Sequence, residues 1–280
     1  MRAAAAAVAW RVAGIDLHLL LIEAAVAAVV LLTSHLAYPP TVRAALVALV
    51  VVLCLVTVAG RLPLGLGPAS PSVAAALVRT VGVALAGAGV VVVVLDLTQT
   101  DTPARRTADG APLAAVVLSL YLAAFLALTS RDGGLPPRAM LTGAGLGLLP
   151  ALLFAAAVPV LWPALVWWWG FLLIAGAAAG SGLLVRSGEI GLRAALLATI
   201  TACQAVFFTA AVLYHDGPDA WMPYAGPGPL TLQGQLEQNR AEAIDPYVGL
   251  LFLGAVAATG LTVQALTTWR RSLGSAAITA

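Results

Sequence analysis

The stretch Ile15-Asp-Leu-His-Leu-Leu-Leu-Ile-Glu-Ala-Ala-Val-Ala-Ala-Val-Val-Leu-Leu-Thr-Ser-His-Leu-Ala-Tyr38 decides the class of fold. A hydrocarbon core of about 30 Å is crossed by about 20 apolar helical residues, and this run meets that length. It carries His18 and His35, two of the three histidines, and a carboxylate, Glu23, in its interior. A charged group in hydrocarbon is costly, so Glu23 calls for a partner, a cavity or a pathway.

The rest of the chain has the same character. It is 61% hydrophobic and 9% charged, whereas a soluble domain is close to half apolar, so a soluble globule is excluded. The apolar runs are continuous and do not alternate, which excludes a β-barrel. A formal charge of +2 is too small to point to nucleic acid. All 14 basic residues are arginine. That fits a bacterial, GC-rich genome and excludes chemistry on a lysine Schiff base. Cys54 and Cys203 both fall mid-span and read as small buried apolar residues, not as a disulfide.

Eight runs reach or approach spanning length: 15–37, 42–60, 73–95, 112–129, 139–161, 164–185, 192–214 and 247–268. The expected fold is all-α, a polytopic helix bundle of about eight transmembrane helices. Residues 1–14 read as an interfacial segment, 15–268 as the transmembrane domain and 269–280 as a cytoplasmic tail. No cleavable signal is evident. In the fifth run Pro150, Pro159 and the glycines at 143, 145 and 147 predict a kink or a half-helix. Arg2, Arg11, Arg61, Arg79, Arg131, Arg138, Arg186, Arg193, Arg270 and Arg271 then share one side, and only Arg43, Arg105, Arg106 and Arg240 the other. By the positive-inside rule both termini are cytoplasmic.

The outer loops are unequal. A moderate one covers 98–111, and the longest, 215–246, contains a short amphipathic surface helix over 230–244. A tight proline turn followed by a longer acidic loop occurs in both halves, which predicts a parallel four-plus-four pseudo-repeat.

Two constellations carry candidate chemistry. Glu23 is matched in depth by Arg79 in the third run; an ion pair keeps both charged, and the alternative is a protonatable Glu23 acting as an acid. At the outer surface His35, Tyr38, Asp96, Asp101, His215, Asp216, Asp219 and Met222 form a constellation whose imidazole, carboxylate and thioether groups suit a divalent metal or copper. Trp162, Trp167, Trp168 and Trp169 mark an aromatic belt. Gln204 with Thr199, Thr201 and Thr209, and Thr259, Thr262 and Gln264, predict interhelical hydrogen bonds. Gly176-Ala-Ala-Ala-Gly180 predicts a close helix contact.

The first functional reading is a non-enzymatic multi-pass protein of a cell membrane. It is permease-like, or a subunit or assembly factor of a larger membrane complex that docks through the acidic outer face. Its partners are the lipid bilayer and other membrane subunits, not nucleic acid. The rivals are an outer-face metal protein or metalloenzyme, and an enzyme acting on a lipid or isoprenoid through Glu23. Pro229-Leu-Thr-Leu-Gln-Gly-Gln-Leu-Glu-Gln, a final span and Trp269-Arg-Arg loosely resemble a class of cytochrome oxidase assembly factors. The likeness covers under a quarter of the chain, and that family's histidine-rich early helix has no counterpart here.

Overall fold

The computed structural model describes residues 70–99, 105–131, 134–161, 163–186, 188–218, 234 and 247–264. The helices among them are α1 (Val73–Gln99), α2 (Arg105–Leu128), α3 (Pro137–Ala157), α4 (Pro163–Val185), α5 (Gly188–Asp216) and α6 (Tyr247–Gln264). Pro137–Ala157, Trp168–Val185, Gly188–Tyr214 and Tyr247–Gln264 are each long and apolar enough to cross a membrane, and Val73–Gly89 and Val116–Leu128 are shorter apolar helices. The architecture is that of a helical membrane protein. The expected spans 15–37 and 42–60 lie outside the described residues, as do the segment 1–14, the tail 269–280 and, Gly234 aside, the surface helix 230–244.

Local chemistry sets the helix ends. Ser72 caps α1, its Oγ accepting from the Ala75 N–H at 3.1 Å. After α2 the chain folds back tightly: the Leu135 N–H donates to the Leu128 carbonyl at 2.8 Å and the Gly134 N–H to the Ser130 carbonyl at 3.0 Å. A Cβ on Gly134 would run into that Ser130 carbonyl, so this turn needs glycine. Pro137 opens α3, where a missing N–H costs nothing. Arg186 closes α4 in the left-handed region (φ 53°), its N–H donating to the Gly182 carbonyl at 3.3 Å.

Three expectations need correction. First, of the kink or half-helix expected in this run the half-helix is overturned: α3 runs through Pro150 as one helix, and Pro159 lies just past its end. Pro150 is buried, and Gly143 and Gly147 are contact points with α5, not weak points: a Cβ on either would stand 2.8 Å from the carbonyl oxygen of Ala194 or Ala198 respectively. Close packing along that seam outweighs one lost backbone bond. Second, the outer loop expected over 98–111 is shorter, because α1 continues to Gln99 and α2 begins at Arg105. Third, Gly176 has nothing within 4 Å of where a Cβ would be, and Gly180 has only the Leu146 side chain at 3.7 Å. The tight approaches lie elsewhere: Gly82 against the Phe125 ring, Gly89 against Leu118, and Gly254 against Tyr121 and Cys203.

Successive helices alternate in direction around α5, which packs on α1, α2, α3 and α4. Its residues Leu197, Ala198, Ile200, Cys203 and Val206 are fully enclosed, with Tyr121, Phe125, Met140, Phe154 and Leu250 filling the core around them. Outward-facing Leu152, Leu172, Leu183, Val256 and Val263 are exposed apolar side chains, as lipid contact demands. Arg79, Arg131, Arg138, Arg186 and Arg193 gather at one end of the bundle, where the Gln264 Nε2 also donates to the Glu189 Oε1 at 3.3 Å. The opposite end is aromatic: Tyr247 meets Phe154 edge-on at 5.3 Å between centroids and Tyr214 at 6.0 Å.

Candidate functional site

Among the described residues Ser119 and Ser181 are buried polar side chains, the Ser181 hydroxyl without a partner, and two larger polar features interrupt the apolar interior. The first is Arg79, which is buried at 6% exposure. Its Nε donates to the Thr129 Oγ1 at 2.7 Å and its Nη2 to the Leu126 carbonyl at 3.4 Å. Thr129 Oγ1 in turn donates to the Phe125 carbonyl at 2.6 Å. The guanidinium therefore sits on the last turn of α2, where carbonyls lack helical partners and the helix dipole is negative. The bond from the Ser70 N–H to the Thr129 carbonyl, 3.0 Å, ties the start of α1 to the same place. Sequence reasoning named Arg79 but missed Thr129. The available signal was a Thr-Ser pair ending an apolar run in the helix next to an inward arginine.

The second feature lies at mid-depth on α5. The threonines there do not bond between helices as expected. Thr199, Thr201 and Thr209 each donate to the carbonyl four residues back, at 2.8–2.9 Å. Thr259 and Thr262 do the same on α6. A hydroxyl reaches its own helix backbone without any neighbour, and in an apolar interior that is the nearest acceptor. Gln204 has no such option. It is 3% exposed, and among the described residues neither its Nε2 nor its Oε1 has a hydrogen-bond partner.

The seam contacts set the level of Gln204. Gly143 lies against Ala194 and Leu197, and Gly147 against Ala198 and Thr201, so α3 and α5 run parallel. One turn further along this register Pro150 comes level with Gln204. Proline has no N–H, so the Leu146 carbonyl has lost its helical donor. A carbonyl that Pro150 deprives of its usual helical donor and an unmet carboxamide thus fall at one level of one seam, well inside both helices. Between Arg138 and its end α3 has no charged residue, and α5 has none between Arg193 and His215.

The remaining candidates divide. Asp96 is in the last turns of α1, and His215 and Asp216 end α5, so the backbone brings these three to the aromatic end of the bundle. Glu23, His35, Tyr38, Asp101, Asp219 and Met222 lie outside the described residues. Among the described residues no group of three His, Cys, Asp or Glu side chains is placed to hold a metal ion. Trp168 is exposed near the start of α4, 6.4 Å from Phe171 between ring centroids. Cys203 is buried without a disulfide.

The chain matches no protein-family model, no curated protein and no solved structure.

Proposed function

We propose that the chain is a permease-like bundle that crosses a cell membrane eight times, with its arginine-bearing end and both termini cytoplasmic. The observation that carries this reading is the buried, unpartnered Gln204 carboxamide level with Pro150 at mid-depth. Solute sites in membrane transporters lie near the midplane and draw on polar side chains and backbone carbonyls freed from their helices. A bundle that only packs against partners has no use for such a group, because polar atoms left unmet in an apolar interior cost about 1–3 kcal/mol each. The absence of charge along the seam separates this reading from an ion pump, which needs a relay of titratable groups.

The rival reading is a subunit or assembly factor docking through the acidic outer face. Flux separates the two. The full chain, reconstituted into liposomes, is expected to release a small solute faster than protein-free vesicles do. Vesicles as tight as the controls to every solute tried would leave the subunit reading in place. The outer-face metal reading has its own check, elemental analysis of the purified protein beside His35→Ala and His215→Ala. Our reading expects no stoichiometric metal in the wild type; metal that is present and lost in both variants would replace it.

A further inference from the structure

We infer that Gln204 and the proline-freed carbonyl of Leu146 form a binding point for a neutral group that both donates and accepts hydrogen bonds: the hydroxyl or amide of a small uncharged solute. The inference rests on the permease-like reading and names the class of permeant. Both ends of the Gln204 carboxamide are unmet, so the site offers N–H donors and an acceptor oxygen together. A cation would satisfy Oε1 and set its charge against the N–H dipoles. An anion would do the reverse. A hydroxyl or an amide answers both ends and has a proton to spare for the Leu146 carbonyl.

The surroundings favour the same class. No charged residue lies on α3 beyond Arg138 or on α5 between Arg193 and His215, so an ion at this depth would shed its water with no counter-charge from either of these two helices. A neutral solute sheds far less. Water offers the same donor–acceptor chemistry and is the other source of an occupant.

The test uses the full chain in liposomes, with stopped-flow light scattering on gradients of glycerol, urea, KCl and an impermeant osmolyte that reports water. Wild type is compared with Gln204→Leu, and both are melted in detergent. The expected result is glycerol and urea entry above protein-free vesicles, no KCl entry, and an about tenfold loss of solute entry in Gln204→Leu, the factor set by one hydrogen bond of ~1.4 kcal/mol. Gln204→Leu should also melt below wild type, because it takes a partner away from an occupied site. KCl entry without glycerol or urea entry overturns the solute class while the permease-like reading stands. Water flux alone, lost in Gln204→Leu, assigns the site to water and overturns the solute. If nothing crosses, the permease-like reading falls and melting judges the site by itself. A Gln204→Leu variant that melts above wild type then shows an empty carboxamide and overturns the binding point, since replacing an unmet polar group with an apolar one is neutral or stabilising. One that melts below supports a bound neutral group without transport.

Discussion

Gly254→Leu is expected to prevent the bundle from forming, and Gly254→Ala to lower its stability by about 2–4 kcal/mol, the sum of overpacking and a broken buried hydrogen bond. Gly254 on α6 is where three helices meet. A Cβ there would overlap the hydroxyl of Tyr121 on α2, and it would stand 2.7 Å from the Tyr121 Cζ and 2.9 Å from the Cys203 Cβ on α5. Tyr121 cannot swing aside into solvent, since it is fully buried and its hydroxyl donates to the Leu251 carbonyl of α6 at 2.9 Å. Either α6 retreats or Tyr121 leaves its pocket, and each route breaks that bond. The measurement is the detergent melting temperature together with the midpoint of unfolding in mixed micelles. Tyr121→Phe removes the atom in the way, so the double variant Tyr121→Phe/Gly254→Ala should be less damaged than the sum of the singles, by about 1–2 kcal/mol of coupling. A Gly254→Ala protein that melts with wild type would mean that α6 does not approach α2 this closely.

Nothing in the sequence announces that contact, because Tyr121 and Leu251 are 130 residues apart and glycines recur through every span. What was legible is what the bilayer itself dictates. It sets how long an apolar run must be, which is why the run read as 164–185 and the helix Pro163–Val185 nearly coincide. Short connections between runs then force alternation. The misreadings share one cause: a local signal lost to packing. Pro150 suggested a half-helix, but α3 continues through it, packed on α5 at Gly143 and Gly147. Gly176 and Gly180 looked like a contact, yet Gly176 faces open space. The threonines looked like interhelical partners, but each had an acceptor on its own helix. Gln204 was visible as a polar residue in an apolar run. Its lack of a partner is a fact about its neighbours, and only their placement shows it.

Arg79→Met carries the other large effect, and its size says what the arginine holds. If the guanidinium only caps α2, losing the bonds to Thr129 and Leu126 costs about 1–2 kcal/mol. If it also neutralises Glu23, as their matched depth in the sequence implies, its removal strands a carboxylate in hydrocarbon and costs about 3–5 kcal/mol. We expect the larger loss, read from unfolding in mixed micelles. Arg79→Lys should restore only part of it. An ammonium places its charge at one point, whereas the planar fork reaches the Thr129 hydroxyl and the Leu126 carbonyl at once. Thr129→Val should cost about 1–3 kcal/mol, because it removes the acceptor of a buried guanidinium N–H. The pairing itself is tested by adding Glu23→Gln to Arg79→Met. Glu23→Gln alone should destabilise, because it leaves the buried guanidinium without its counter-charge. In the Arg79→Met background the same change should stabilise, because it removes the stranded charge. Two costs that simply add would mean that Glu23 does not answer to Arg79. The carboxylate would then stand alone in the first span, and the rival reading of Glu23 as a protonatable acid would take its place.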